Sequence, residues 1–136
     1  MTLKEMVNQV GRSSEGYEWT PLEAAAWSEH FHVVQYLIEQ GEADPNIANS
    51  YGMNALHLAA GYNRTNTELI QLLLTLDNIN KKDMGGYDTP LDYAYRDNHS
   101  PIRQEIIALL RSKGGKANCF DEHGRKVGEG NGDLNH

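Results

Sequence analysis

Three short motifs recur along this chain of 136 residues, always in the same order and at nearly the same interval. The first motif begins as Thr-Pro-Leu-Glu, and its three versions start 34 and 35 residues apart, at residues 20–23, 54–57 and 89–92. An apolar motif follows each version, at residues 33–37, 69–73 and 106–110, and a motif that ends in asparagine closes each unit, at residues 44–46, 79–80 and 117–118. Internal repeats with a period of about 20–50 residues are typical of proteins in which each unit buries its apolar face against its neighbours. The sequence therefore predicts a stack of three similar units.

The first motif of each unit has the chemistry of a helix start. Thr20, Asn54 and Thr89 are good N-caps, because their side-chain oxygens accept hydrogen bonds from backbone N–H groups that the first turn leaves free. Pro21 and Pro90 would occupy the first helical position, where a proline loses no hydrogen bond. The second motif is the apolar face of another helix, and segments rich in Gly, Asn, Asp and Pro separate the units. Each unit is thus predicted to be a helix, a short turn, a second helix and a β-turn finger.

A Thr-Pro-Leu-His-like start, an alanine-rich first helix, an apolar second helix and an exit that ends in asparagine resemble the ankyrin repeat over roughly residues 15–124. The resemblance implies an all-α ankyrin-repeat solenoid of stacked helix–turn–helix units with β-hairpin-like fingers. It also implies that His57 forms a hydrogen bond within its own repeat start, as the matching histidine does in the family. Residues 1–124 are then predicted to form a single ankyrin-repeat domain. Its repeats fall at about residues 15–48, 49–82 and 83–118.

Both ends of such a stack need a polar covering, since the terminal units otherwise expose apolar faces. Residues 2–10 are predicted to form an N-terminal capping helix, which Thr2 and Glu5 start as a capping box. Residues 114–124 are predicted to form a terminal finger with no helix after it. The remaining residues, 125–136, are predicted to be a flexible C-terminal tail.

The composition and charge limit the classes of partner. The net charge is −7 and the isoelectric point is about 5.3, which argues against a nucleic-acid-binding protein, whose contact surface is basic. No apolar run approaches the roughly 18 residues of a membrane-spanning helix, so we expect no membrane association. The single cysteine, Cys119, cannot form an internal disulfide bond, which favours a reducing, intracellular compartment. We expect a monomer in the cytoplasm, with the nucleus as the alternative.

No arrangement of residues points to catalysis or to a cofactor. None of the six histidines pairs with another at i and i+4 on a predicted helix, as a zinc site would favour. Cys119 lies in the terminal finger, with no base and orienting group arranged around it. The glycines at positions 128, 130 and 132 lack the strand and the helix that flank a phosphate-binding loop. We therefore expect no enzymatic activity, no metal and no cofactor.

The resemblance also implies where a protein partner binds, because ankyrin repeats hold their partners with the finger tips and the concave side of the inner helices. Mapped residue by residue, this surface takes side chains from three fingers and three inner helices: Tyr17, Trp19, Trp27, Ser28, Tyr51, Met53, Tyr62, Tyr87, Asp88, Arg96 and Asp97. Trp, Tyr and Arg dominate binding hot spots, and aromatic side chains offer a large area at low entropic cost. Trp19 has an alternative role as a hydrophobic staple on the following helix. Two further tyrosines, Tyr36 and Tyr93, are expected to pack between helices.

The predicted function is non-catalytic binding of a protein partner, as a general adaptor or scaffold. One alternative is a stand-alone inhibitor that occupies an enzyme or a transcription factor, as some ankyrin proteins of similar length do. A third hypothesis is an enzyme or a small-molecule binder, for which the sequence carries no motif and an open stack offers no deep pocket. Lowered activity of a bound enzyme would distinguish an inhibitor from an adaptor.

Overall fold

The computed structural model describes residues 1–12, 18–64, 67–96 and 100–127, with Arg12 described by its backbone alone. Within these ranges lie seven α-helices: α1 (Leu3–Val7), α2 (Pro21–Trp27), α3 (Phe31–Glu39), α4 (Ala55–Tyr62), α5 (Glu68–Leu73), α6 (Pro90–Tyr95) and α7 (Pro101–Ser112). The short strands β1 (Gly11–Arg12) and β2 (Glu18–Trp19) pair antiparallel, with Gly11 opposite Trp19. Tyr17, Asp97 and the tail residues 128–136 lie outside the described residues.

The helices form three pairs, α2 with α3, α4 with α5 and α6 with α7. The first helix of each pair packs against the first helix of the next pair, and we call α2, α4 and α6 the inner helices. Leu22, Leu56 and Leu91 hold the same position in the three inner helices, and all three side chains are buried in one continuous core. The predicted all-α stack of helix–turn–helix units is confirmed.

Small side chains allow the inner helices to pack side by side. Ala26 of α2 and Ala60 of α4 are fully buried. Gly61 lies against the ring of Tyr93 on α6, and a Cβ atom at this glycine would come within 3.0 Å of Tyr93 Cδ2. The tyrosine ring is held in place, because its hydroxyl donates a hydrogen bond to the carboxylate of Asp83. The distance between α4 and α6 therefore depends on the missing side chain at Gly61.

Each inner helix begins after its predicted N-cap residue, and in each the cap is part of a reciprocal capping box. At the start of α2, Thr20 Oγ1 accepts the Glu23 N–H at 3.1 Å and the Glu23 carboxylate accepts the Thr20 N–H at 2.8 Å. The same arrangement starts α4 and α6, with the pairs Asn54–His57 and Thr89–Asp92. The hydrogen bond predicted for His57 within its own repeat start is confirmed.

Two of the three caps also bond to the next finger. His57 accepts the Asn54 N–H at Nδ1, so Nε2 carries the ring hydrogen and donates it to the carbonyl oxygen of Asp88 at 2.9 Å. Burial lowers the pKa of His57 to about 4, which keeps the ring neutral at neutral pH. Asp92 Oδ1 accepts the backbone N–H of Cys119 at 2.8 Å. His57 and Asp92 thus each cap the start of a helix and form a hydrogen bond to the finger of the following unit.

Glu23, the corresponding cap residue of the first repeat, lacks such a bond. Its side chain is only 1% exposed, and Oε2 has no hydrogen-bond partner among the described residues. Burial raises the pKa of Glu23 to about 7, although the hydrogen bonds from Thr20 act in the opposite direction. The first inner helix is therefore capped by a carboxyl group that titrates near neutral pH.

The N-terminal helix α1 is five residues long, whereas residues 2–10 were expected to be helical. The predicted capping box at its start is present. The helix ends early because Asn8 bonds to the exit of the first repeat instead. Its Nδ2 donates to the carbonyl oxygen of Glu42 at 3.2 Å, and its Oδ1 accepts the Asp44 N–H at 2.7 Å.

The terminal finger extends past its predicted end at residue 124. Phe120 and Lys126 form an antiparallel bridge, and the Val127 N–H donates to the carbonyl oxygen of Cys119 at 2.9 Å. Backbone hydrogen bonds therefore connect residues 125–127, which were assigned to the tail, to the terminal finger.

The two tyrosines that were expected to pack between helices behave differently. Tyr93 is buried, as predicted, whereas Tyr36 is 60% exposed. The prediction is wrong for Tyr36 because α3 packs on the core through the stripe formed by Phe31, Val34 and Ile38. Tyr36 lies off this stripe, on the outer side of the helix.

The titration of Glu23 makes the stability of the fold depend on pH. Because its pKa is raised, its contribution to the free energy of unfolding is fully present below about pH 4.5 and is lost as the pH rises through 7. Glu23→Gln keeps an oxygen that accepts the Thr20 N–H and removes the titration. We expect the variant to exceed the wild type in stability by about 1–3 kcal/mol at pH 8, and to match it near pH 5, in urea unfolding.

The matched control for this prediction is Glu5→Gln, which changes the exposed glutamate of the α1 capping box. The hydrogen bonds from Thr2 lower the pKa of Glu5, so its contribution to stability is present above the pKa of the unfolded chain. Glu5→Gln should therefore not raise the free energy of unfolding at pH 8. A Glu23→Gln effect of equal size at pH 5 and pH 8 would contradict the assignment.

Gly61→Ala should destabilise the stack by about 1–3 kcal/mol, because the added methyl group presses on a tyrosine ring that is fixed at both ends. The control is Gly85→Ala in the third finger, where a Cβ atom meets nothing within 4 Å. That substitution should leave the midpoint of urea unfolding unchanged or slightly raised. Equal effects of the two substitutions would show that α4 and α6 do not depend on close contact at Gly61.

Candidate interaction groove

An open groove of about 1050 Å³ lies beside the first two inner helices. Its lining comes from the N-terminal segment, from β1 and β2, from α2 and α4, and from the finger that joins the first two helix pairs. We call it the aromatic groove after its four exposed or half-buried rings, Trp19, Trp27, Tyr51 and Tyr62. Among the described residues that line it there is no Asp, Glu, Lys, Arg or His.

Trp27 is the central ring of the aromatic groove. Its centroid lies 6.0 Å from that of Trp19, with an angle of 59° between the ring planes. On its other side the centroid lies 6.5 Å from that of Tyr62, at 67°. Such tilted and edge-to-face contacts are favourable arrangements of aromatic rings. Trp27 is 52% exposed and Tyr62 is 43% exposed, so the three rings form a continuous strip on the protein surface.

The position of the strip follows from how the sequence folds locally. Leu22, Ala25 and Ala26 turn the apolar face of α2 to the core, which leaves Trp27 on the opposite side. Trp19 precedes the N-cap of the same helix and is held by the pairing of β2 with β1. Tyr62 is the last residue of α4. Two helix ends and one hairpin thus bring the rings together.

The part of the chain that builds the aromatic groove is also its more acidic half. Residues 1–64 contain eight Asp or Glu and three Lys or Arg, whereas residues 65–136 contain eleven and nine. The described lining is therefore uncharged, although it is drawn from the half of the sequence with the larger excess of acidic residues.

The structure brings together six of the eleven side chains that the sequence assigned to partner binding: Trp19, Trp27, Ser28, Tyr51, Met53 and Tyr62. Tyr87 is 47% exposed in the third finger but does not line the groove. Tyr17 and Asp97 lie outside the described residues. The sequence assignment did not include the N-terminal segment, whose Met6 and Val10 line the groove.

Asp88 belongs to the interior of the stack, whereas Arg96, which is bound to it, remains exposed. Asp88 is 5% exposed, and its carboxylate forms an ion pair with Arg96 and accepts the thiol of Cys119. The guanidinium of Arg96 lies 4.1 Å from the ring centroid of Tyr93. The assignment of Asp88 to a partner-binding surface is therefore wrong for its side chain, since a buried, paired carboxylate has no access to a partner.

Asp88, Asp92 and Cys119 are close enough together to be considered as metal ligands. Burial raises the pKa of the Cys119 thiol to about 11, and the Asp92 carboxylate adds to this effect. A thiol that keeps its proton is a poor metal ligand. The two carboxylates are occupied by Arg96 and by backbone N–H groups, so the cluster fits a structural hydrogen-bond network that fastens the terminal finger.

No helix among the described residues has both the length and the apolar character needed to cross a membrane.

Residues 22–74 match the family model described as ankyrin repeats (many copies). The matched segment runs from the start of α2 to the end of α5, and so includes both inner helices of the aromatic groove and the finger between them. The third helix pair lies beyond the matched segment, but its inner helix starts with the same capping box.

The Cys119 thiol should react slowly in the folded protein, because it is 1% exposed and its pKa is raised to about 11. At pH 8 we expect alkylation by iodoacetamide at least about 100-fold slower than that of free cysteine. In 8 M urea the same chain should react at the rate of free cysteine. Rapid labelling of the native protein would show that the terminal finger does not cover the thiol.

Proposed function

The chain is an ankyrin-repeat protein, and on this premise we propose that it binds a protein partner through the aromatic groove without catalysing a reaction. Ankyrin repeats generally mediate protein–protein interaction. The finer assignment rests on one observation, the strip of Trp19, Trp27 and Tyr62 in a groove whose described lining carries no charged side chain. An apolar strip of this kind exposes to water the residue types that dominate binding hot spots.

The strip of three rings is suited to binding because the elements that carry the rings are packed on the core or capped. Trp27 and Tyr62 stand on inner helices that are fastened to each other through the core, and Trp19 stands next to the capped start of α2. Aromatic side chains have few rotatable bonds, so little conformational entropy is lost when a partner covers them. The groove therefore offers apolar area that is already ordered before binding.

The remaining partner-binding residues extend this surface toward the third repeat. Tyr87 is exposed on the third finger, and the side chain of Arg96 is 46% exposed on one side of its ion pair. We propose that these two residues contact the periphery of a partner whose centre covers the aromatic groove. Charged groups at the edge of an interface contribute less to affinity than buried aromatic residues at its centre.

An adaptor and a stand-alone inhibitor would both use this surface, and they differ in what the partner does after binding. An inhibitor lowers the activity of the enzyme it covers, whereas an adaptor leaves a second surface for another protein. A small-molecule ligand is less suited to the site, because such ligands are usually buried over 70–90% of their surface and the aromatic groove is open. We expect no catalytic activity from the chain.

Removal of the central rings should weaken partner binding without unfolding the protein. We expect Trp27→Ala and Tyr62→Ala each to weaken binding by about 1–3 kcal/mol, which is about 5- to 150-fold in Kd. The measurement is capture from native lysate on the immobilised full chain, followed by titration of the captured partner. Melting temperatures should stay close to that of the wild type, because about half of each residue is already exposed and neither belongs to the hydrophobic core.

The matched control is Tyr36→Ala, which removes a tyrosine of similar exposure from the outer side of α3. This variant should capture the same partners as the wild type. A partner that binds all four proteins equally would place the interaction elsewhere on the chain. A large fall in melting temperature with unchanged binding per folded molecule would make Trp27 and Tyr62 structural residues.

A further inference from the structure

We propose that a small pocket next to the aromatic groove binds an oxyanion, either a carboxylate or a phosphate. The pocket has a volume of about 240 Å³, and we call it the arginine pocket after three of its lining residues. The lining consists of Gly61, Tyr62, Arg64, Tyr93, Arg96 and Arg103. This site goes beyond the one proposed for a protein partner, and its ligand can be tested without that partner.

The arginine pocket concentrates positive charge in an acidic chain. The chain has six arginines and a net charge of −7, and three of the six line this one pocket. Among the described residues of the lining there is no Asp or Glu. Like charges close together raise the free energy of the unbound site, and an anion between them lowers it. The planar fork of a guanidinium group also matches two oxygens of a carboxylate or a phosphate.

Three separate segments bring the arginines together. Arg64 follows the end of α4, Arg96 is the C-cap of α6 and Arg103 lies in the first turn of α7. Arg103 is fixed in place, because its Nη1 donates to the carbonyl oxygens of Ala60 at 2.7 Å and Asn63 at 3.0 Å. The packing of the third helix pair against the second therefore sets the positions of the three charges.

Arg103 supplies the buried part of the lining, since it is only 3% exposed. A cation at this place is favourable for the fold, because the end of α4 leaves carbonyl groups without partners in the helix. The two carbonyl groups that it contacts carry partial charges only, so they do not cancel the full charge of the guanidinium. A buried charge is screened less by salt than an exposed one. Arg103 therefore strengthens the attraction of the pocket for an anion.

The carboxylates that adjoin the arginine pocket are bound to groups of the fold and do not line it. Asp88 pairs with Arg96 and is 5% exposed. Asp83 accepts a tyrosine hydroxyl at 2.5 Å and two backbone N–H groups of the third finger. Glu29 accepts the backbone N–H of Arg64 at 2.6 Å. The described surface of the pocket thus presents guanidinium groups without a carboxylate beside them.

Arg96 keeps donors for a second anion. A guanidinium group has five N–H donors on three nitrogens, and Arg96 contacts Asp88 through Nη2. The ring of Tyr93 lies against the face of the guanidinium, 4.1 Å from Arg96 Cζ to the ring centroid. This contact leaves the edge that carries the N–H groups, and 46% of the side chain is exposed. Together with the exposed Arg64, Arg96 forms the accessible part of the pocket.

Tyr62 lines both the arginine pocket and the aromatic groove, so the two sites adjoin. The oxyanion can therefore come from two sources with the same chemistry. One is a free anion in solution. The other is an acidic or phosphorylated residue of a partner that covers the groove, and this source rests on the proposed function.

The test uses inorganic phosphate and acetate, which have too little apolar surface to bind in the aromatic groove. Each is titrated into the ¹⁵N-labelled full chain at constant ionic strength, and the NMR signals of the Arg64 backbone N–H and of the arginine Nε–H groups are followed. We expect saturable shifts with a Kd of about 1–10 mM, as a few charge-assisted hydrogen bonds provide. Phosphate should bind more tightly than acetate, because it carries more charge.

Variants of the pocket identify where the anions bind. Arg64→Gln should weaken both titrations at least about fivefold, because it removes a charged donor, and the fold should be unaffected because the side chain is exposed. Arg96→Gln should weaken them similarly, with the melting temperature measured alongside because Asp88 loses its cation. The matched control is Arg125→Gln in the terminal finger, whose side chain is 74% exposed. This variant should bind both anions like the wild type.

Equal affinity of the wild type and Arg64→Gln, or shifts that do not saturate, would overturn the anion site and leave the proposed function standing. Where phosphate binds, its effect on a partner captured from lysate separates the two sources. Release of the partner from the wild type but not from Arg64→Gln assigns the oxyanion to the partner. Capture that is indifferent to phosphate assigns the site to a free anion, while Trp27→Ala still decides the proposed function.

Discussion

The stack depends on buried polar side chains that perform two tasks at the start of α4 and of α6. His57 caps α4 and donates to the carbonyl oxygen of Asp88 in the next finger, and Asp92 caps α6 and accepts the N–H of Cys119 in the terminal finger. An apolar core is tolerant of small shifts, whereas a buried hydrogen bond is costly to leave unmade. These bonds therefore set the register between neighbouring units. Glu23 holds the same cap position in α2, but it lacks the bond to the next finger.

This register has consequences for the surface. Because α2 and α4 are fixed relative to each other, Trp27 at the end of α2 meets Tyr62 at the end of α4. The hairpin of β1 and β2 adds Trp19 from the other side. A strip of three rings results from residues that are up to 43 positions apart in the sequence. The proposed binding role draws on this order, because rings that are already in place lose little conformational entropy on binding.

Much of the fold could be predicted from the sequence, because its determinants are local and repeated. The N-caps at Thr20, Asn54 and Thr89 were recognised from the residue types and their spacing. Prediction failed where a long-range contact overrides a local pattern. Asn8 ends α1 by bonding to the first repeat, and Val127 joins the terminal finger through the carbonyl oxygen of Cys119. No local sequence pattern predicts either of these hydrogen bonds.

For the candidate site, the sequence by itself determined which side chains are available: an excess of aromatic residues at the ends of inner helices and in the fingers, in an acidic chain. Only the tertiary structure decided which of them share a surface. It grouped Trp19, Trp27 and Tyr62 with the N-terminal segment, and it buried Asp88 beneath Arg96. The physical reason is that capping and helix periodicity act within a few residues, whereas exposure depends on how neighbouring units pack.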